Sequence, residues 1–181
     1  MNKQEFLAMS LPYGLMLFQE DLSGGRIFPL LGINQMHGYG IFTGDVGDYN
    51  WSYFEGFKPI LRPLSDLTKE IIHNGNTFIP IVEICKLSET VIKVLRLKSK
   101  TMICGFDFVN DEGEVLRFGY HYNSHHFQLS DANSSFIVNE TILYQLEMFQ
   151  KLIEWHFDIA GLIEKGEAID VNTLEVNPYE R

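Results

Sequence analysis

The sequence predicts an α+β fold: an antiparallel sheet of hairpins packed against a long C-terminal helix, with short additional helices. Three observations predict it. Two runs, 102–109 and 115–122, are rich in β-branched and aromatic residues and flank the turn Asn110-Asp111-Glu112-Gly113-Glu114, the pattern of a hairpin. A second hairpin is written at 13–19 and 26–33 around Asp21-Leu22-Ser23-Gly24-Gly25. From Asn139, a capping residue type, to about Lys165, apolar residues recur at helical spacing, and Gly166 follows as a natural C′ residue.

The remaining elements follow in order. Asn2, with Glu5 three residues on, forms a capping box that starts a short helix through about Met9, stopped by Pro12. Pro29 assigns the second strand of the first hairpin to an edge or a bulge, because proline cannot donate to a ladder. Between 34 and 57, Gly38, Gly40, Gly44, Gly47 and Gly56 alternate with Tyr39, Phe42, Tyr49, Trp51, Tyr53, Phe54 and Phe57. Glycine this dense breaks helices while the aromatics favour strands, so a long mobile loop feeding a strand near 50–56 is expected. Lys58 to Pro63 is held extended by its prolines, Ser65 caps a short helix, and Asn74-Gly75 marks a turn. Residues 80–97 are ambiguous: they carry helical spacing with a break around Ser88, and 127–129 extend the later hairpin.

The long helix is apolar on two sides. One stripe runs through Ile142, Leu146, Phe149, Ile153, Phe157 and Ala160, the other through Met148, Leu152, Trp155, Ile159 and Leu162. It needs cover on both, from the sheet and from either the tail after Gly166 or a second copy of the chain. No repeat or linker interrupts residues 1–181, which read as a single domain.

With 181 residues, 45% hydrophobic and 21% charged, the chain can bury a core, and a disordered, collagenous, membrane or disulfide-dense protein is excluded. The segment from Met1 to Phe6 lacks a basic region followed by an apolar one, so no export signal is read there and a cytoplasmic location is expected. The 14 Lys and Arg against 24 Asp and Glu leave a charge of −10, which repels phosphate and argues against nucleic acid as a partner. The basic stretch Lys93, Arg96, Lys98 and Lys100 interleaves with apolar residues and reads as the solvated face of one regular element. Cys85 and Cys104 sit in apolar company and read as core residues.

Gly38-x-Gly40-x-x-x-Gly44 has neither the spacing nor the following helix of a dinucleotide loop, and Gly-Lys-Ser/Thr is absent, which excludes a Walker-type loop. What survives is a loop whose aromatic faces can stack on a base or sugar while backbone N–H groups approach closely, although most such loops only connect strands. Its candidate ligand-binding residues are His37, Tyr39, Tyr49, Trp51 and Tyr53, with Arg26, Arg62 or Lys58 to help a phosphate. On a straight strand His121 and His125 share a face about 13 Å apart, too far for one metal ion, so a polar strand face beside a turn is read there. His156 reads as a satisfied or half-exposed helix residue, and Asp107 faces outward if Phe106 and Phe108 face the core. There is no Gly-x-Ser-x-Gly elbow, no cysteine in an electropositive setting and no calcium-loop pattern. No catalytic residue, cofactor or metal is therefore assigned.

Three segments carry a resemblance. They are Met9-Ser10-Leu11-Pro12-Tyr13-Gly14-Leu15, the stretch Lys58-Pro59-Ile60-Leu61-Arg62-Pro63-Leu64-Ser65-Asp66-Leu67-Thr68, and Trp155-His156-Phe157-Asp158-Ile159-Ala160-Gly161-Leu162-Ile163 with Ile169-Asp170-Val171-Asn172-Thr173-Leu174. Together they resemble a family of small proteins encoded by phages, prophages and mobile elements of gut bacteria. That family carries no assigned activity, so the resemblance implies a context only: a phage accessory protein in the host cytoplasm. The expected function is a non-enzymatic phage accessory protein that binds a small, nucleotide-like molecule to counter a host process. The alternatives are an acidic interaction module inhibiting a host protein, a homodimer through the C-terminal helix included, and a virion or assembly component.

Overall fold

The structure is a computed structural model that describes residues 1–20, 24–34, 40–45, 48–53, 56–87, 95–99, 103–109, 113–121, 124–131, 140–141 and 144–180; in the strands at 40–45, 48–53 and 95–99 the backbone alone is described. The chain divides into two compact units, residues 1–64 with 152–178 and residues 65–151 with 179–181.

The first unit opens with α1 (Lys3–Ser10), started by the expected capping box: Asn2 Oδ1 accepts from Glu5 N at 2.9 Å and Asn2 N donates to Glu5 Oε2 at 2.8 Å. Its Phe6 and Leu7 are fully buried with Leu15, Leu17, Leu30, Phe57 and Leu61 in one apolar cluster. Lys3 Nζ donates to Phe57 O at 2.6 Å, and burial lowers its pKa from the ordinary lysine value. The sheet of this unit is built from β1 (Met16–Gln19), β2 (Arg26–Asn34), β3 (Gly40–Asp45), β4 (Asp48–Tyr53), β5 (Phe57–Leu61) and the tail strand at Ile169–Asp170. The tail strand runs parallel to β5, which pairs antiparallel with β1.

One expectation for this sheet is corrected, and of the two offered for the strand with Pro29 the bulge holds while the edge does not. Residues 40–53 are a regular hairpin, with Gly40 opposite Tyr53 and Asp45 opposite Asp48, where a loop feeding one strand was expected; pairing satisfies backbone groups that glycine propensity alone leaves open. The strand holding Pro29 is an inner one, between β1 and β3. Leu30 N donates to Leu15 O at 2.8 Å, so Pro29, one position earlier, aims its nitrogen toward the β3 side. The β2–β3 register begins only at Leu30 and is irregular between Leu30 and Gly32, so the missing N–H falls where the ladder has ended.

A 3-10 turn (Leu64–Thr68) spans the boundary residue and is followed in the second unit by the small hairpin β6 (Ile71–His73) and β7 (Asn76–Phe78). Its turn is Asn74-Gly75 as expected, with φ of 49° and 72°, the two left-handed residues of a type I′ turn. Helix α2 (Pro80–Lys86) follows, and then β8 (Leu95–Ser99), β9 (Ile103–Val109), β10 (Val115–His121), β11 (His126–Asp131) and β12 (Glu140–Thr141) form an antiparallel meander. The helical spacing over 80–97 thus describes a helix only to Lys86, and its last residues are strand, because Leu95 to Ser99 find a ladder on β9. The core face of the meander holds Phe108, Phe118, Tyr120 and Phe127, all at most 1% exposed.

The expected long C-terminal helix is overturned. Helix α3 spans Gln145–Glu154, ten residues, and the tail strand, numbered β13, comes fifteen residues later at Ile169–Asp170. The predicted cap Asn139 lies outside the described residues, and Glu140-Thr141 pair with β11. At the other end Phe157 N donates to Leu152 O (2.8 Å) and His156 N to Ile153 O (3.0 Å), the two bonds of a Schellman closure, with His156 at φ 61° in the place glycine usually takes. The chain is then drawn into the sheet: Arg62 N donates to His156 O and Asp158 N to Arg62 O, both at 2.8 Å. The Asp158 carboxylate accepts from Leu162 N and Ile163 N, each at 2.8 Å. Gly166 does close a turn, with Glu167 N on Leu162 O (2.9 Å) and Lys165 Nζ on Ala160 O (2.9 Å), but it is a separate turn and not the end of α3.

Candidate functional site

Two regions carry chemistry, one in each unit. In the first, β4 places Tyr49, Trp51 and Tyr53 at alternate positions, which the pleat of a strand puts on one face. Across the hairpin they stand opposite Gly44, Phe42 and Gly40 in that order. Two of the three aromatic positions therefore stand opposite a residue without a side chain. His37 and Tyr39 lie outside the described residues.

The two predicted arginines do not converge. Arg26 is exposed and pairs with Gln19, which itself pairs with Phe57 at the start of β5. Arg62 follows the other end of β5, five residues on or roughly 16 Å along a strand, and is 3% exposed. Its backbone is engaged with His156 and Asp158 as described, so it belongs to the interior of the unit. Lys58, on an outward position of β5, is exposed.

In the second unit the face of the meander turned away from Phe108, Phe118 and Tyr120 is polar. Register sets Arg96, Asp107, Arg117 and Ser130 in one cross-strand row, Lys98, Gly105, Gly119 and Gln128 in the next, and His121 with His126 in the last. Asp107 is on this face, yet it is 6% exposed rather than solvated. Arg117 clasps it with two bonds, Nε to Oδ1 at 2.7 Å and Nη2 to Oδ2 at 3.2 Å, and this raises the arginine's pKa further. Sequence reasoning missed this pair, although the register of a hairpin turning at 110–114 already sets 107 against 117.

The histidine turn also departs from expectation. The chain reverses between His121 and His126, with His125 at φ 48°, so the straight-strand separation does not apply. His121 and His126 become cross-strand partners, their rings 5.6 Å apart between centroids and 11° from parallel. His121 Nδ1 is hydrogen-bonded to Ser124 Oγ at 2.9 Å, and His125 Nδ1 to Tyr120 Oη at 2.9 Å. Burial pushes the Tyr120 phenol up to about 12. His156, expected to be a helix residue, is 1% exposed at the Schellman position. Cys85 is buried, as a core cysteine should be, and the Cys104 side chain lies outside the described residues.

Among the described residues no three His, Cys, Asp or Glu side chains converge as a metal cage, and no helix is long and apolar enough to cross a membrane. No family model, curated protein or solved structure matches the chain.

Proposed function

We propose that this chain is a non-enzymatic binding protein that takes a small molecule with a planar, nucleotide-like ring on the Tyr49, Trp51 and Tyr53 positions of β4. The observation that supports it is the register of the β3–β4 hairpin, which alternates glycine and aromatic positions opposite that row. Stacking on such a row is worth about 1–3 kcal/mol per base and tolerates different rings. With Arg62 interior and a net charge of −10, the ring rather than a phosphate supplies most of the affinity, and Arg26 and Lys58 are the exposed cations of this unit's sheet that can assist. The resemblance to phage accessory proteins supports a role in the host cytoplasm against a host process.

The test is native mass spectrometry of the protein recovered from infected cells, beside Trp51→Ala. A retained mass of a few hundred daltons on the wild type, missing from the variant, is expected; equal spectra sink the assignment. A second reading, an interaction module for a host protein or a second copy, rests on the exposed start of α3, where Leu146 is 69% and Tyr144 47% exposed. Leu146→Glu should then release the partner, and an unchanged solution mass in both proteins removes this reading.

A further inference from the structure

The geometry points to a divalent transition-metal site at the β10–β11 turn, in which His121 and His126 share one ion of the zinc class. The site is independent of the ligand proposed for β4 and lies in the other unit. Its basis is the cross-strand pairing of the two histidines, which brings their ring centroids to 5.6 Å. An imidazole nitrogen binds zinc at about 2.0–2.1 Å, so two rings on one tetrahedral ion have centroids roughly 5.2 Å apart. The observed spacing is a few tenths of an ångström from that, and the stacked, near-parallel rings turn about χ1 and χ2 to aim one nitrogen each at a common ion.

The surroundings favour the same chemistry. Ser124 Oγ is hydrogen-bonded to His121 Nδ1 at 2.9 Å, which leaves Nε2 as its metal-facing nitrogen. Such an outer partner orients most metal-bound histidines. Both rings are partly exposed, so an ion reaches them without opening the core. Because no third protein ligand converges among the described residues, water completes the coordination and the ion exchanges readily, unlike the closed four-ligand set of a structural zinc site. Imidazole donors select Zn2+, Ni2+ or Cu2+ over the hard cations Mg2+ and Ca2+.

Titration of the full chain with Zn2+ alone, followed by calorimetry and by the imidazole nitrogen resonances, tests the site. One Zn2+ per chain is expected, with the Nε2 signals of His121 and His126 moving together. His121→Asn and His126→Asn should each abolish binding, Ser124→Ala should weaken it about 10-fold, and His37→Ala should leave it unchanged. Absence of binding, binding that survives both asparagine variants, or shifts confined to His37 would each overturn the proposal. Thermal unfolding of the asparagine variants without metal guards the result, since these side chains lie at a turn and their loss should not unfold the chain.

Discussion

In the five-stranded sheet every neighbour in space is a neighbour in sequence, whereas the six-stranded sheet pairs β1 with β5 and β5 with β13, across long stretches of chain. The meander is assembled from neighbouring strands, three of its four connections spanning only three to five residues and so closing at small entropic cost. The six-stranded sheet is closed by pairings that no local pattern encodes. Arg62, just past β5, bridges to Phe157, and the backbone groups it offers end what the periodicity writes as one long helix. Helical spacing over 139–165 is real as a burial pattern, since Leu152, Trp155, Phe157 and Leu162 are all buried, but burial is reached here by two turns and a strand bridge instead of one helix. Apolar periodicity therefore reports which residues go inside; the fate of the backbone hydrogen bonds decides the element.

Substitutions at three positions break or sharpen this contrast. The largest effect is expected in the meander from Gly105→Ala. A Cβ at Gly105 collides with Phe118 O and lies 2.6 Å from Gly119 Cα, both backbone atoms of the neighbouring strand that no rotamer change can move. A loss of about 3 kcal/mol is expected in denaturant unfolding; a loss under about 0.5 kcal/mol would show that the two strands separate freely there.

The non-local sheet is tested through Asp158, 6% exposed, whose carboxylate holds the two N–H groups that turn the chain after the bridge. Asp158→Ala should cost about 2 kcal/mol by leaving both donors unsatisfied, and Asp158→Asn, which keeps one acceptor, should cost less. Equal costs would mean that the turn is held by its packing and not by these bonds.

The smallest effect concerns Tyr120 in the meander core. Tyr120→Phe removes its hydrogen bond to His125 at a cost of about 1 kcal/mol near neutral pH. An unfolded tyrosine ionises near 10, while the folded phenol keeps its proton to about 12. The wild type therefore loses stability as pH rises from about 10 towards 12, and the phenylalanine variant lacks that contribution. The stability difference between the two proteins should shrink across this window; a constant difference would refute the burial argument.

Local chemistry was enough for some of this protein. The Asn2–Glu5 capping box, the Asn74-Gly75 turn and the hairpin around 110–114 each depend on residues within a few positions of one another, so the sequence by itself determined them. Other features needed partners from elsewhere in the chain. The inner position of β2 despite Pro29, the β3–β4 hairpin where glycine density argued for a loop, and the short α3 were decided by tertiary pairing, which satisfies backbone donors and acceptors that propensity leaves unassigned. The candidate sites divide the same way. The aromatic residue types on β4 were legible, but their register against Gly40 and Gly44 was not. For His121, only the reversal of the chain shows that its neighbour is His126, because a four-residue turn converts distance along a strand into contact across one.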